Sequence, residues 1–328
     1  MENGWKKLRY YLEYAGVRFL AWSIPKLSRR ACVRLSLGLG ALAYYLDRQG
    51  RKVALANLQA AFGDKYSASE REKIARASYQ NFSRTMIDLF WTPRLANGQH
   101  ERYIIPEDAG GRAAIGDRSR GLVIICAHNA GFEWASLAGG FHGFPMTILT
   151  EAFKNPEVGA VFKRLREASG HQIITQEASM IRLLKSVKRG GIAGVLIDFN
   201  VRPSQAATVV DSFGMKTCVT ILPAVLAQRA GARLLPVDSI PESDGTCRIK
   251  PYPPLVVREG STVQEIAQEC WNFFEAIIRA DPRRWLWAYK YWRFKPKDAT
   301  RDYPFYANVS EGFDRLIRDV SGRARDRE

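Results

Sequence analysis

The chain has 328 residues, of which 46% are hydrophobic and 25% are charged, and this composition excludes a disordered protein. The length allows one large domain with a sizeable core, or such a domain with an added helical segment. Lysine and arginine outnumber aspartate and glutamate by 49 to 33. The resulting net charge of +16 predicts an anionic partner: nucleic acid, an anionic membrane surface, phosphorylated lipid or an acidic carrier protein.

The first 65 residues are predicted to form helices that lie on a membrane surface. One face at helical spacing carries only apolar or aromatic side chains, those of Leu8, Tyr11, Leu12, Ala15, Phe19 and Trp22. Glu13 and Arg18 interrupt the apolar run, which argues against a cleaved signal peptide. The longest uncharged stretch nearby, residues 35–46, is about half of the ~20 residues that a spanning helix needs. We therefore expect a peripheral helix; the alternative is an amphipathic helix that covers a protein core.

The remainder of the chain has the pattern of an α/β protein. The segment from Ser67 to Phe90 predicts one or two helices, opened by a capping box of Ser67 and Glu70. After residue 120, helical segments alternate with the strand-like runs GLVIICA, MTILT, HQIIT, GIAGVLID and ARLLPV. This alternation predicts a central, mostly parallel sheet flanked by helices. We divide the chain into a helical membrane-associating segment (1–65), an α/β domain (66–300) and a helical tail (301–328).

Two polar side chains follow predicted buried strands. His128 ends the run VIICAH and Asp198 ends GVLID, and open α/β sheets bind ligands at these strand ends. Glu133, in the first turn of the next helix, can turn back toward His128. A carboxylate on one imidazole nitrogen fixes the tautomer and leaves the other nitrogen free to accept a proton from a hydroxyl. The small residues of HNAG leave room for a substrate, so we expect His128 to be a general base oriented by Glu133. A structural histidine is the alternative.

The cysteines indicate a reducing compartment, with neither a disulfide framework nor a zinc site. They are scattered and form no C-x-x-C pair: Cys32, Cys126, Cys218, Cys247 and Cys270. Cys126 lies two residues before His128 and is expected to point to the same side, so a covalent Cys–His mechanism is conceivable. A buried core cysteine is the preferred interpretation. Metal ligation is not expected, because no second histidine has ligand spacing.

The motif His-x-x-x-x-Glu, written HNAGFE here, resembles the signature of glycerolipid-type acyltransferases. The segments around it resemble the lipid A biosynthesis (late, lauroyl/myristoyl) acyltransferase family. In chain order they are RQGRKVALANLQAAFG before the motif, then NPEVGAVFKRLREASGHQIIT, LLKSVKRGGIAGVLID, SFGMKT, LAQRAGARLLPV and WLWAYKYWRFKPK. The resemblance extends from about Leu8 to Lys297, with the family's order and approximate spacing.

This resemblance implies transfer of a fatty acyl chain from an acyl thioester to a hydroxyl of a lipid A precursor, a phosphorylated glucosamine lipid. The implied donor is acyl carrier protein, with acyl-CoA as the other candidate. The implied location is the cytoplasmic face of the inner membrane, with the protein bound peripherally to an anionic surface. Neither a metal, a bound cofactor nor nucleic acid is expected to take part.

Residue roles are also implied by the resemblance. His128 is the base and Glu133 orients it, while the substrate-binding candidates are Asn129, Arg164, Arg166, Asp198 and Gly214. Arg166 matches the arginine that follows the family's motif, although Arg164 competes for the assignment. A guanidinium suits bidentate recognition of phosphate or carboxylate. A solvated helix face is the alternative for both arginines.

The chain departs from the family pattern in three places. Phe199 stands where a glutamine is usual after the aspartate, and Asp211 and Ser212 replace apolar or proline residues before the aromatic-glycine pair. Tyr289 and Lys290 stand where His-Arg is expected. These departures spare the His-Glu motif but leave the acceptor and the acyl-chain length open. A lysophospholipid, an aminolipid or another glycolipid is the alternative acceptor.

The C-terminal run RRWLWAYKYWRFKPK interleaves aromatic and basic residues, namely Trp285, Trp287, Tyr289, Tyr291 and Trp292 with six cations. Such a run suits the lipid headgroup zone, and it also suits stacking on single-stranded nucleic acid. Core aromatics on a final strand are an equally good interpretation for alternate residues. A basic nucleic-acid-binding protein is therefore the alternative from a different class, although the sequence contains no nucleic-acid-binding motif.

Overall fold

A computed structural model describes residues 4–108, 110–175 and 179–325 of the chain. The described residues form a mixed α/β structure, as the sequence predicted. The α-helices are α1 (Gly4–Ser23), α2 (Arg29–Leu46), α3 (Arg48–Phe62), α4 (Ala68–Phe90), α5 (Thr92–Arg94), α6 (His100–Tyr103), α7 (Arg112–Gly116), α8 (Phe132–Phe141), α9 (Pro156–Glu167), α10 (Ser179–Lys188), α11 (Leu222–Ala230), α12 (Val263–Ala280) and α13 (Glu311–Arg325).

The strands occupy the positions expected from the apolar runs, together with several strands that the runs did not reveal. They are β1 (Ile104–Pro106), β2 (Leu122–Cys126), β3 (Thr147–Leu149), β4 (Gln172–Ile174), β5 (Ile192–Leu196), β6 (Ala207–Ser212), β7 (Met215–Thr220), β8 (Arg233–Pro241), β9 (Cys247–Pro251), β10 (Phe294–Lys295) and β11 (Asn308–Val309).

Seven strands form the central sheet, in the order β1-β9-β8-β2-β5-β3-β4. Every neighbouring pair is parallel except β8 and β9, which are antiparallel. The expected fold class, a mostly parallel sheet flanked by helices, is therefore confirmed. β2 and β5 lie side by side at the middle of the sheet, where strands are buried on both faces, and this explains their unbroken apolar runs.

Helix boundaries follow local signals in the sequence. α4 is a single helix, and the expected capping box is present: the Ser67 side chain accepts from the Glu70 amide while the Glu70 side chain accepts from the Ser67 amide. α12 begins with the same arrangement of Thr262 and Glu265. Each capping box satisfies two backbone donors that the helix itself cannot satisfy.

The apolar face predicted for the first helix is directed away from the protein. Trp5, Leu12, Phe19 and Trp22 are 59–76% exposed, and α1 contains no buried residue. A different face, which includes Leu20, packs against the core. The interpretation of this stripe as a cover for the core is therefore wrong. Within the described ranges, no helix combines the length and apolar character needed to cross a lipid bilayer.

The aromatic residues of the C-terminal run lie in the core. Trp285, Trp287, Tyr291 and Trp292 are at most 1% exposed, so they can neither reach a lipid headgroup nor stack on a nucleic-acid base. Both surface interpretations of these four residues are wrong, and the core interpretation is correct. They are held by turns rather than by a strand, since β10 begins only at Phe294.

Candidate active site

His128 and Asp198 face each other because β2 and β5 are parallel neighbours in matched register. Cys126, the last residue of β2, is the partner of Leu196, the last residue of β5. His128 and Asp198 each follow by two residues, at the carboxyl edge of the sheet where such folds bind their ligands. The register of the two central strands therefore brings these side chains together without any special loop geometry.

Asp198 holds the His128 ring through its Nδ1 atom. The Nδ1–Oδ1 distance is 2.7 Å, and Asp198 Oδ2 also accepts from the His128 backbone amide at 2.9 Å. A third donor is the Trp285 indole Nε1, 2.7 Å from Oδ2. Since the ionised carboxylate is the acceptor, Nδ1 of His128 is the protonated nitrogen. Nε2 makes no protein hydrogen bond with another residue that the structure describes.

The surroundings keep Asp198 ionised although the residue is only 1% exposed. Burial by itself would raise the pKa of this carboxyl group. The electrostatic interaction with His128, together with the hydrogen bonds from the His128 ring, the His128 amide and Trp285, outweighs burial and lowers the pKa of Asp198. A carboxylate held in this way can stabilise the imidazolium that forms when His128 takes up a proton.

Glu133 has a different partner from the one expected. It lies in the first turn of α8, as predicted. Its carboxylate, however, accepts hydrogen bonds from Arg166, at 2.6 Å from Nη2 and at 3.1 Å from Nε. Among the hydrogen bonds of the described residues, none joins Glu133 to His128. We therefore assign the orienting contact to Asp198 instead of Glu133, because the strand register places Asp198 on Nδ1 while α9 supplies a guanidinium to Glu133.

The ion pair of Glu133 and Arg166 lines a small apolar cavity. Burial alone would lower the pKa of Arg166, but the charge of Glu133 and its hydrogen bond raise it, so Arg166 remains a cation. The cavity has a volume of about 80 Å³ and lies among β2, β3, β5 and α8. Its apolar lining includes Ile124, Phe132, Met146, Ile148, Leu149, Val195 and Leu196.

The short turn between β2 and α8 is shaped by packing. Gly131 has a φ of +79°, and a Cβ atom at this position would lie 3.0 Å from the side chain of Pro241. Ala130 is 2% exposed. The small size of these residues therefore allows the turn to pack against β8, and it does not serve to leave the expected space for substrate. The amides of His128, Ala130 and Gly131 donate within the protein, to Asp198, the Arg284 carbonyl and Thr85, so none of these three is free for an oxyanion.

Aromatic rings enclose the imidazole. The ring centre of Phe132 lies 5.0 Å from that of His128, and the ring centre of Phe199 lies 4.3 Å away. Phe199, one of the departures from the family pattern, is 38% exposed and also contacts Tyr289. The His128 ring therefore lies beside an accessible apolar surface.

The other predicted substrate-binding residues, Asn129, Arg164 and Gly214, lie in three different parts of the structure. The Asn129 amide donates to Asp238 at 3.2 Å, so this buried side chain supports the turn that carries His128. Arg164 lies on the part of α9 that faces α1, in a groove separate from the cavity at Arg166. Gly214 lies in the hairpin between β6 and β7, where the Arg301 guanidinium packs against it. In the described part of the chain, no hydrogen bond, ion pair or ring contact joins Arg164 or Gly214 to His128.

Sequence reasoning missed two features of the site. Trp285 was recognised only as part of an aromatic run, yet its indole donates to the Asp198 carboxylate that holds the His128 ring. Arg284 bonds Asp238 at 2.8 Å, and its backbone carbonyl accepts from the Ala130 amide. Neither residue has a local signal, because both reach the site through a turn more than 150 residues after His128 in a chain of 328.

Cys126 is unsuited to a covalent role. Burial raises the pKa of its thiol to about 12, with further contributions from the charges of Asp238 and Asp198. Since the thiolate is the nucleophile, this cysteine is inert near neutral pH. All five cysteines are free. Within the described residues, no group of three or more His, Cys, Asp or Glu side chains could hold a metal ion.

Comparison with known proteins identifies the family of the chain. The model of the bacterial lipid A biosynthesis acyltransferase family matches residues 2–294, which is most of the chain. A curated relative, the phosphatidylinositol mannoside acyltransferase of Mycolicibacterium smegmatis (strain ATCC 700084 / mc(2)155), is 24% identical over 268 residues. This match covers 80% of the present chain and 86% of the relative. The chain therefore belongs to the bacterial lipid A biosynthesis acyltransferase family and is an enzyme that transfers acyl groups.

Proposed function

We propose that the enzyme transfers a fatty acyl chain from an acyl thioester to a hydroxyl of a lipid A precursor, with His128 as the general base. The observation that carries this proposal is the His128 ring, whose Nδ1 atom is held by Asp198 at the carboxyl edge of the sheet. The Nε2 atom is then left for an acceptor hydroxyl. General-base assistance of this kind typically contributes ~10²- to 10⁴-fold in rate.

In the proposed reaction, Nε2 takes the proton of the acceptor hydroxyl while its oxygen attacks the thioester carbonyl carbon. The tetrahedral intermediate then collapses, the carbon–sulfur bond breaks, and the leaving thiolate receives the proton from His128. An ester and a free thiol are the products. Asp198 stabilises the intermediate imidazolium by its charge, and Trp285 keeps the carboxylate oriented.

The proposed donor is acyl carrier protein, with acyl-CoA as the alternative. Both present a thioester on an anionic molecule, and the net charge of +16 favours encounter with either one. We place the beginning of the acyl chain in the apolar cavity beside the Glu133–Arg166 pair. That cavity is smaller than a long acyl chain, so the remainder of the chain would extend beyond it.

We further propose that the enzyme works at the cytoplasmic face of the inner membrane as a peripheral protein. The exposed aromatic and aliphatic face of α1, next to several cations, supports this location. A helix of this kind inserts its apolar face at the boundary between headgroups and acyl chains. The lipid acceptor and its acylated product would then both remain in the membrane, while the thiol product is released with its carrier.

A second candidate acceptor is another glycolipid. Two observations favour it: the curated relative is a phosphatidylinositol mannoside acyltransferase, and Phe199 stands beside the base where the family usually has glutamine. An exposed aromatic ring is suited to packing against the apolar face of a sugar. Both candidates require the same base, so they differ only in the bound acceptor.

The test compares wild-type enzyme with His128→Ala, using acyl carrier protein loaded with a fatty acid and a lipid A precursor. Because the base is lost, we expect transfer to fall at least ~10²-fold, as measured by mass spectrometry of the product. His142→Ala, which removes an exposed histidine outside the site, is the matched control and should retain activity.

Mass spectrometry of lipids from cells with and without the chain identifies the acceptor. One additional acyl group on a lipid A species would support the first candidate, and one on another glycolipid would support the second. Near wild-type transfer by His128→Ala would refute the proposed base, whichever acceptor is found.

A further inference from the structure

The first helix is fixed against α9 by a buried side chain. Asn155, 5% exposed at the beginning of α9, donates from Nδ2 to the Tyr10 carbonyl at 2.9 Å and to the Glu13 carboxylate at 3.0 Å. These two bonds set the position of α1 next to α9. The surface between the two helices is therefore a defined groove.

Two arginines line this groove. Its walls are Tyr14, Arg18, Ala21 and Trp22 from α1, and Val161 and Arg164 from α9, around a volume of about 410 Å³. Spacings of three and four residues place the lining side chains of each helix on one face. The volume lies within the range of small-molecule sites, which is about 300–1,000 Å³.

The acidic side chains near the groove already form ion pairs or hydrogen bonds with other residues. Glu13 pairs with Arg9 and Asn155, Glu167 pairs with Lys163, and Glu133 pairs with Arg166. No ion pair joins Arg18 or Arg164 to an acid within the described ranges. Two like charges that line one open groove repel each other, and an anion between them would reverse this repulsion.

We propose that the groove between α1 and α9 binds the headgroup phosphate of an anionic phospholipid. This inference rests on the membrane association proposed above and assigns it a specific lipid site. Arginine forms charge-assisted, bidentate bonds with phosphate, and the two guanidinium groups can hold one phosphate together. Trp22, 62% exposed at the edge of the groove, has the Lys26 ammonium 3.2 Å from its ring centre, as suits a side chain at headgroup depth.

The groove is distinct from the site of chemistry. None of its lining residues lines the cavity at Glu133 or the cleft beside His128. Arg164 and Arg166 are only two residues apart on α9, but they belong to different surfaces of this helix. We therefore commit to a phospholipid of the surrounding membrane as the ligand, and an acceptor or a free phosphate becomes an outcome of the test.

The test measures binding of dihexanoylphosphatidylglycerol to the full chain in a neutral detergent by titration calorimetry. We expect saturable binding at one site, at least ~10-fold tighter than for dihexanoylphosphatidylcholine. Both lipids carry a phosphate, but the quaternary ammonium of phosphatidylcholine neutralises its headgroup and repels the two guanidinium groups. Inorganic phosphate is titrated in parallel. If it binds as tightly as the lipid, the lipid assignment is overturned and the groove is a free-phosphate site.

Variants then locate the binding. Arg18→Gln and Arg164→Gln should each weaken binding of phosphatidylglycerol ~10-fold. The double variant should bind only slightly more weakly than either single variant, because both guanidinium groups bind the same phosphate and their effects are therefore not additive. The matched control is Lys7→Gln/Lys154→Gln, which removes two charges outside the groove, one on α1 and one next to the beginning of α9, and leaves the Lys163–Glu167 pair intact. An equal loss in this control would overturn the proposal in favour of general surface charge.

Hydrolysis of an acyl thioester by the same wild-type preparation separates this proposal from the proposed function. An enzyme that hydrolyses the thioester but does not bind dihexanoylphosphatidylglycerol overturns the groove proposal alone. A protein that binds this lipid but neither hydrolyses nor transfers the acyl group overturns the proposed function alone.

Discussion

At the residue scale, Asp198 and Glu133 are the two carboxylates considered as the residue that orients His128. Asp198 is buried and accepts three hydrogen bonds around the imidazole, whereas Glu133 is committed to a guanidinium. A carboxylate that accepts two or three such bonds stays ionised even where burial opposes it. The carboxylate charge next to the His128 ring is therefore that of Asp198.

Replacement of each carboxylate by its amide distinguishes the two roles. Asp198→Asn removes the negative charge at Nδ1, so we expect kcat to fall ~10²- to 10⁴-fold with the fold intact. Glu133→Gln leaves the Asp198–His128 bond in place and should cost at least ~10-fold less in kcat. Steady-state kinetics with circular dichroism as the folding control provides the measurement. A greater loss in Glu133→Gln would return the orienting role to Glu133.

At the element scale, α1 presents two faces with different tasks. Leu20 and its neighbours on the inner face pack against the core, and the outer face leaves large apolar side chains in solvent. Exposed apolar surface of this extent marks an interaction site, because a monomeric soluble protein rarely retains it. The helix therefore serves both as a part of the fold and as the surface proposed to meet the membrane.

Substitution on the outer face should alter membrane binding without altering stability. Leu12 and Phe19 are 59% and 61% exposed, so Leu12→Ser/Phe19→Ser should leave the unfolding temperature unchanged. Burial of such side chains in lipid is worth about 1.5–3 kcal/mol each, so sedimentation with phosphatidylcholine vesicles should fall at least ~10-fold. Leu20→Ser is the contrasting variant and should lower the unfolding temperature. Unchanged sedimentation of the double variant would argue against this face.

At the scale of the whole molecule, a buried charge cluster connects the N-terminal helices to the sheet. Arg29 of α2 bonds Asp88 of α4 at 2.6 Å and the Gly245 carbonyl at 2.7 Å, and its guanidinium lies 4.5 Å from the ring centre of Trp134 in α8. Arg84 also contacts Asp88, and burial lowers the pKa of Arg84. Both arginines therefore depend on the charge of one buried carboxylate.

Loss of that carboxylate should be strongly destabilising. In Asp88→Asn, two buried guanidinium groups lose their counter-ion, and breaking a buried pair in this way costs about 3–5 kcal/mol in free energy of unfolding. Asp211→Asn breaks a surface pair with Lys216 and should cost only about 0–1 kcal/mol. Urea denaturation of both variants measures the difference. Equal stabilities would show that the cluster contributes no net free energy to the fold.

The stability of the fold should also depend on pH through His171. Burial lowers the pKa of this ring below its ordinary value of 6.5, partly offset by the hydrogen bond to the Ser136 carbonyl. In the neutral ring, Nδ1 accepts from the Met146 amide and Nε2 donates to Ser136. Below about pH 6.5 the unfolded chain therefore binds a proton that the folded chain does not, and the free energy of unfolding decreases as the pH falls.

His171→Gln should reduce this dependence, because its amide does not titrate. We expect a shallower decrease in the free energy of unfolding between about pH 7 and about pH 5 than in the wild-type protein. His142, whose pKa is also lowered mainly by burial, contributes in the same direction and remains in the variant. Denaturation at several pH values provides the measurement, and an unchanged slope would contradict the role of His171.

The sequence by itself determined those features that depend on local pattern. Apolar runs marked the central strands, the Ser67–Glu70 spacing marked the beginning of α4, and strand ends marked His128 and Asp198 as candidates. The motif and the order of segments around it indicated the acyltransferase family. The runs, the capping box and the motif each lie within about 20 residues, and the order of the segments follows directly from the chain, so no knowledge of distant contacts was required.

Only the tertiary structure decided which side chains meet. The parallel register of β2 and β5 places the Asp198 carboxylate against the His128 ring. Arg166 of α9 pairs with Glu133, and a distant turn places the Trp285 indole against Asp198. Periodicity also could not tell an apolar face turned to solvent from one turned to the core, because both have the same spacing along α1. The physical reason is that partner choice and burial depend on how elements pack, and residues far apart in the chain determine that packing.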